Sequence, residues 1–232
     1  ALLTNYGFEN YYNQYYYRKN LLAPLPARFE ERYHKFKAKP DYTAVHLDKN
    51  KLAKYAQDFV TIYNSAWAQH GEEKAITLPQ IIKLFNSLKA VMDERVIWFA
   101  YYKQEPIAMF INIPDVNQYF KYFNGALGLW QKMHLLWMKW TGQNNKLTGL
   151  AFGVVPKYQA LGIDSFLINS CHILLNKIKL YDQYEMGWAG DWNPKMVNIY
   201  KSLDALPSRR MVTFRYIFDA KSHPFERHPI ME

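Results

Sequence analysis

The segment from residue 147 to residue 179 constrains the fold more than any other part of the chain. A short apolar run at 147–155 is strand-like, and Pro156 and a Gln-x-x-Gly turn follow it. An amphipathic stretch with helical spacing then extends from about 165 to 179. A turn that leads directly into a helix leaves backbone N–H groups unpaired at the positive end of the helix dipole. The segment therefore predicts a strand, a turn and a helix that form an anion site.

The remaining patterns predict an ordered α/β chain. From residue 42 they follow the order β-α-α-β-β-(α)-β-α-β-α-β. The sequence Thr77-Leu-Pro-Gln80 has the form of a capping box, and 96–102 with 107–113 predicts a hairpin. The first residues differ, because they hold a tyrosine-rich strand at 11–17 and a proline-containing linker at 23–26. We expect residues 1–39 to be an N-terminal extension and residues 40–232 to be the main domain.

The turn resembles the pyrophosphate-binding motif of the GNAT-type acyltransferase superfamily, Val-x-Pro-x-x-Gln/Arg-x-x-Gly-x-Gly/Ala. Val154, Pro156, Gln159 and Gly162 match the motif, whereas Asp164 stands where it has Gly or Ala. The resemblance implies an α/β (α+β) fold with a mixed, mostly antiparallel central sheet and helices on both faces. It also implies acetyl-CoA or another acyl-CoA as the co-substrate.

In this superfamily the cofactor lies between two splayed strands, which correspond here to 147–155 and 183–189. The resemblance implies that backbone groups near Val154 and Val155 hold the pantetheine, and that an N–H near Val155 polarises the thioester carbonyl. Backbone N–H groups of the turn hold the pyrophosphate; they belong to Gln159, Ala160, Leu161, Gly162, Ile163 and Asp164.

The carboxylate of Asp164 opens two interpretations. It either occupies the helix-start donors and repels phosphate, by about 1 kcal/mol for exposed charges ~4 Å apart, or it swings outward and leaves the site usable. The first interpretation favours a catalytically silent GNAT-like binding module with a degenerate CoA site.

A second motif begins at Asn193-Pro194, where Asn is a good N-cap and Pro suits the first helical position. Seven residues at about 100° each place Tyr200 above Asn193 on one helix face. The resemblance implies that Asn193 contacts the cofactor and that Tyr200 protonates the leaving CoA thiolate. The alternative is that Tyr200 is only a core contact.

Glu185 is the first candidate for the general base, since it lies on the strand that would face the acyl group. A solvated or sheet-bonded carboxylate is the alternative. Two further carboxylates follow as candidates, Asp191 and Asp115.

Composition limits the partners. The formal charge of +9 favours an anionic partner, but the basic residues are scattered and show no nucleic-acid motif, so nucleic acid is disfavoured. The seven histidines have no metal-ligand spacing, which predicts no metal. The lone Cys171 excludes an internal disulfide, lies on an apolar stripe and predicts a buried thiol in a reducing compartment such as the cytoplasm. No apolar run reaches the ~18 residues of a membrane span.

An aromatic stripe with helical spacing lies between residues 129 and 140. Its members are Leu129, Trp130, Met133, Leu136, Trp137 and Trp140. We weigh four interpretations: a helix buried against the sheet, the wall of an acceptor pocket, a homodimer face, and a surface that lies on a membrane.

The stripe, the Pro114-Asp115-x-Asn117 run and the Asn124-Gly125 pair resemble an uncharacterised bacterial branch with two tandem GNAT-like halves, in which residues 1–39 would end the first half. The implied function is N-acyl transfer, acetyl transfer foremost, to a small-molecule or peptide amine by direct attack in a ternary complex. A third hypothesis is an aminoacyl-tRNA-dependent transferase, which also uses paired GNAT-like halves.

Overall fold

The computed structural model describes residues 2–67, 75–219 and 224–230. The chain is α+β, as predicted. Its contacts divide it into two compact units, one formed by residues 1–19 and 185–232 and the other by residues 20–184.

The larger unit contains an antiparallel sheet in which each strand pairs with the next along the chain. The strands are β2 (Tyr42–His46), β3 (Ile97–Tyr102), β4 (Glu105–Pro114) and β5 (Lys146–Val154). The predicted hairpin is confirmed as β3 and β4. Its two-residue turn consists of Lys103 and Gln104, both with positive φ (47° and 71°), which matches the twist of paired strands.

Helices cover both faces of this sheet. The α-helices of this unit are α2 (Ala27–Lys37), α3 (Leu52–Trp67), α4 (Leu78–Leu88), α5 (Asn117–Phe120), α6 (Leu129–Trp140) and α7 (Ile163–Ile178). Consecutive residues of β3 from 97 to 101 are buried although they point alternately to the two faces. At the start of α4, the Thr77 N–H donates to Gln80 Oε1 at 2.9 Å, as the capping box predicts.

Helix α2 is the longest element that the sequence patterns missed. The chain turns into this helix directly after Pro26, at the end of the expected linker. Its Phe36 ring lies 5.8 Å from the Phe166 ring of α7, and its Tyr33 ring lies 5.9 Å from the same ring. Phe29, Tyr33 and Phe36 have helical spacing, but a strongly charged segment surrounds them and hides the signal.

The smaller unit pairs the two ends of the chain. It contains α1 (Leu2–Asn5), β1 (Glu9–Asn20) up to residue 19, β6 (Gln183–Gly190) from residue 185, α8 (Pro194–Ser202) and β7 (Leu206–Arg215). Strands β1 and β7 are antiparallel. Whether residues 1–39 end a preceding half-domain stays a prediction.

Candidate functional site

The predicted anion turn lies in the larger unit, between β5 and α7. One 3-10 turn, Pro156–Tyr158, follows β5. The Gln159 side chain folds back, and its Nε2 donates to the Val154 carbonyl at 3.0 Å. The Val155 N–H donates to the Ile107 carbonyl at 2.9 Å. This corrects one expectation: the Val155 N–H already has an acceptor in β4, so it is not a free donor for a thioester carbonyl.

Two left-handed residues shape the rest of the turn. Ala160 has φ +59° and Gly162 has φ +96°, and the side chain of Leu161 between them is half exposed. A Cβ added to Gly162 would lie 3.1 Å from Cδ of Arg32 and 3.5 Å from the Phe36 ring. Gly162 therefore meets both a conformational and a steric requirement for glycine.

The start of α7 presents unpaired backbone donors. The first backbone bond of the helix runs from the Phe166 N–H to the Gly162 carbonyl at 3.1 Å. The N–H groups of Ile163, Asp164 and Ser165 precede it and have no partner within the helix. Gly162 supplies no side-chain cap. The turn therefore has the geometry of a helix-start anion site.

Arg32 of α2 adds a positive charge at this helix start. Its Nη1 donates to Ser165 Oγ at 3.3 Å, and Ser165 is fully buried. A cation is unfavourable at the positive end of a helix. A bound anion would be stabilised both by the Arg32 guanidinium and by the backbone N–H groups at the start of α7. No sequence pattern pointed to Arg32, because α2 was not predicted.

Asp164 is the second residue of α7 and its side chain is partly buried. A carboxylate at this position stabilises the helix by about 0.3–1 kcal/mol, because it lies at the positive end of the helix dipole. The same carboxylate would stand beside any phosphate held by the first turn. The Asp164 carboxylate and a bound phosphate would therefore compete at the start of α7, as the sequence suggested.

The second predicted motif lies in the smaller unit, on α8. The Met196 N–H donates to Asn193 Oδ1 at 3.1 Å, so Asn193 caps the helix as predicted. The Tyr200 hydroxyl is buried and donates to the Gly187 carbonyl at 2.7 Å. Burial raises the pKa of Tyr200 above its ordinary value, so the phenol stays protonated at neutral pH. The raised pKa also makes this phenol a weaker acid than an exposed tyrosine.

The candidate bases in the smaller unit are both engaged. Glu185 of β6 pairs with Arg209, with 2.9 Å between oxygen and nitrogen. Asp191 accepts hydrogen bonds from Asn13 at 2.7 Å and from Arg227 at 2.6 Å. Burial alone would raise the pKa of Asp191, but these hydrogen bonds outweigh it and hold the pKa below its ordinary value. A low pKa makes Asp191 a weak base.

The third candidate, Asp115, lies in the larger unit. It is buried, 3.4 Å from the Lys146 ammonium, and it accepts the Asn117 N–H at 3.1 Å. These contacts give it a structural role at the end of β4.

A polar cavity of about 360 Å³ lies in the larger unit, near the last residue of β4. Its lining includes Asp93, Arg95, Lys139 and Tyr181 but none of the residues that the sequence motif singled out. Asp93 and Arg95 form a double ion-pair contact of 2.9 and 2.6 Å, and the Tyr181 hydroxyl donates to Asp93 at 2.8 Å. The walls of this cavity are therefore tied to one another.

Cys171 is buried, as predicted, and burial raises the pKa of its thiol. Across residues 2–67, 75–219 and 224–230, no group of three or more His, Cys, Asp and Glu side chains is arranged to hold a metal ion. In the same ranges, every helix is too short or too polar to cross a bilayer.

Two curated proteins show distant sequence similarity. A bacterial ceramide synthase of Caulobacter vibrioides is 25% identical over 162 residues, which cover 68% of this chain and 42% of that protein. Protein YghO of Escherichia coli is 25% identical over 169 residues, which cover 71% of this chain and 43% of that protein. The chain thus spans less than half the length of these relatives. No protein-family model matches it.

Solved structures show the fold more clearly. A GCN5-related N-acetyltransferase of Sphaerobacter thermophilus has a TM-score of 0.58 at 12% identity and covers 92% of this chain and 54% of its own. A tandem GNAT protein from the clavulanic acid biosynthesis pathway has a TM-score of 0.53 at 11% identity, and the match covers 91% of this chain and 56% of that protein's chain. The chain has the GNAT fold, which confirms the resemblance at the level of architecture.

Proposed function

We propose that this chain carries out acyl transfer from an acyl-CoA to an amine. The observation that carries the proposal is the turn between β5 and α7, where unpaired first-turn N–H groups and Arg32 flank the left-handed Gly162. A pyrophosphate suits this arrangement because its oxygens accept several backbone hydrogen bonds at once and carry the charge that Arg32 balances. The GNAT fold supports the assignment by analogy.

The reaction we propose is a direct displacement in a ternary complex. The amine nitrogen attacks the thioester carbon, a C–N bond forms, and the C–S bond breaks with its electron pair on sulfur. The CoA thiolate takes a proton from Tyr200, and the amine loses a proton to Glu185 or to water next to it. Both acyl donor and acceptor are held before the attack, so the enzyme gains from proximity rather than from a covalent intermediate.

The proposed roles require two of the local contacts to change. Tyr200 keeps its proton at neutral pH and must turn its hydroxyl from the Gly187 carbonyl toward sulfur. Glu185 must exchange its contact with Arg209 for the amine or for a water. The cofactor contacts that we propose are the residues of the turn, Val154, Val155 and Gln159 to Asp164, together with Asn193. We also propose the cytoplasm as the compartment, on the basis of the free Cys171.

The acceptor that we propose is an amine on a long alkyl chain. A ceramide is an N-acylated long-chain amine, and one curated relative is named a bacterial ceramide synthase. The sequence alone pointed only to a small-molecule or peptide amine.

An acceptor screen tests this function. Purified protein is incubated with acetyl-CoA or a long-chain acyl-CoA and a panel of short amines, peptides and long-chain amines, and free CoA thiol is measured. We expect thiol release that depends on a long-chain amine and produces the matching amide by mass spectrometry. Release of no thiol with any pair would count against the proposal.

A catalytically silent module is the second candidate, and Asp164 favours it. In that case the carboxylate occupies the anion position permanently. The chain would then bind no acyl-CoA, and replacement of Asp164 by Asn or Gly would restore binding without activity.

A further inference from the structure

Helix α6 exposes the aromatic stripe instead of burying it. At about 100° per residue, the stripe spans about 120° of the helix circumference. The exposed fractions of its most open members are 74% for Leu129, 78% for Trp130 and 85% for Trp140. The side that packs on the protein carries Leu135 and Met138, which contact Tyr119 and Phe123. Of the four interpretations, burial of the stripe against the sheet is therefore wrong, because the stripe is exposed and lies nearly opposite the packed side.

The charged residues of the sequence interval that contains the stripe have one sign. No Asp or Glu occurs between Asp115 and Asp164, whereas lysine recurs through the interval, at Lys121, Lys132, Lys139, Lys146 and Lys157. Lys132 is exposed and lies beside the stripe on the helix circumference, and Lys121 is exposed on the loop before the helix. Two more apolar side chains on the same segment are over half exposed, Tyr122 and Leu127.

We propose that this face, made of the stripe with Tyr122, Leu127, Lys121 and Lys132, docks on the surface of a bilayer that contains anionic lipids. Tryptophan favours the boundary between headgroups and hydrocarbon, and leucine and methionine enter the hydrocarbon edge. Lysines beside an apolar stripe bind anionic headgroups, while carboxylates would be repelled and are missing from this interval. The inference does not depend on the proposed transfer reaction, since vesicle binding is measured without any substrate.

The test is sedimentation of the full chain with vesicles of phosphatidylcholine alone or with about one third phosphatidylglycerol. We expect binding to the anionic vesicles that is at least fivefold stronger than to the neutral ones and that falls with added salt. The Trp130→Ala/Trp140→Ala variant should lose about tenfold in partition. Both side chains are mostly exposed, so the fold should be unchanged by circular dichroism and thermal melting.

Two matched controls distinguish binding through this face from non-specific binding to vesicles. Phe218→Ala removes an aromatic side chain that is 96% exposed outside the face and should bind like the original. Lys121→Glu/Lys132→Glu should lose binding by about tenfold, while Lys83→Glu/Lys177→Glu, with the same change in net charge, should lose much less.

Sedimentation velocity decides between a membrane and a second copy of the chain. The account predicts a monomer at the concentrations of the vesicle assay. A dimer that Trp130→Ala/Trp140→Ala dissociates, with no vesicle binding, would assign the face to another copy and overturn the proposal. Equal binding of the original and the double tryptophan variant would overturn it as well.

Discussion

Ala160 holds a strained backbone conformation for a residue with a Cβ. Its φ of +59° lies in the left-handed region, where such a residue pays roughly 1–2 kcal/mol. Glycine avoids that cost but loses about 0.5–1 kcal/mol through the greater freedom of the unfolded chain.

Ala160→Gly should therefore raise the free energy of unfolding by about 0.5–1 kcal/mol. Ala38→Gly is the matched control, because Ala38 is exposed and its φ of −74° is unstrained. This variant should lower the free energy of unfolding by about 0.5–1 kcal/mol. Urea titration of the three proteins measures the difference. A loss of stability in Ala160→Gly would show that the turn conformation is different.

Asp93 caps the 3-10 turn Glu94–Val96, which contains Arg95, and it also accepts a hydrogen bond from Tyr181 in the loop before β6. Burial opposes its charge, but hydrogen bonds from these two residues dominate and lower the pKa of Asp93. A carboxyl whose folded pKa is lowered stabilises the fold above its unfolded pKa, and this stabilisation disappears as the pH falls through the folded pKa.

Asp93→Asn should cost about 1–3 kcal/mol in the free energy of unfolding at pH 7. The difference from the original protein should begin to shrink as the pH falls below about 4, the ordinary pKa of Asp, and should be smallest below the lower pKa that Asp93 has in the fold, where its carboxyl is uncharged. Asp48→Asn tests a more exposed cap of the same form, and it should cost less. A pH-independent difference for Asp93→Asn would exclude the charge as the cause.

At the scale of elements, α2 and α7 together form the candidate anion site. Arg32 donates to Ser165 in the first turn of α7, and its aliphatic part covers Gly162. Because Arg32 is exposed, its guanidinium can move from the serine to a phosphate oxygen.

Arg32→Gln should weaken CoA binding by about threefold to tenfold, since one charge-assisted contact to phosphate is lost. Lys35→Gln, on the same helix, removes the same charge and should change the dissociation constant by less than twofold. Isothermal titration calorimetry measures both. Equal effects of the two variants would mean that Arg32 acts only through net charge.

Helix α8 carries the candidate acid. Tyr200→Phe removes the hydroxyl that donates to Gly187 but keeps the ring, which lies 5.3 Å from the Tyr17 ring. We expect kcat to fall by about 10²-fold or more while the dissociation constant for CoA stays within about twofold. Tyr181→Phe, a buried tyrosine outside the site, is the control. An unchanged kcat in Tyr200→Phe would leave Tyr200 with a structural role alone.

Local patterns predicted most of these elements because their signals lie within a few residues. The capping box before α4, the hairpin of β3 and β4 and the Asn193 cap are examples. Helix α2 escaped because its three aromatic residues lie among many charges, and Arg32 escaped with it. The acceptor of the Val155 N–H could not be predicted either, since the pairing of β5 with β4 joins distant residues.

The exposure of the aromatic stripe on α6 could not be predicted from the sequence, for a different reason. A stripe of apolar residues predicts that one helix face leaves water, but not what covers it. In the structure, only Leu135 and Met138 of α6 are buried.

For the whole molecule, the central claim is that a GNAT fold retains a working acyl-CoA site despite Asp164. The most direct test is a calorimetric titration of the original chain and of Asp164→Asn with acetyl-CoA and with CoA. We expect micromolar binding by the original chain and binding about fivefold to tenfold tighter by the variant, because one repulsive charge is removed. No binding by the original chain would contradict the account, and recovery of binding in the variant would show that the site has been closed by Asp164.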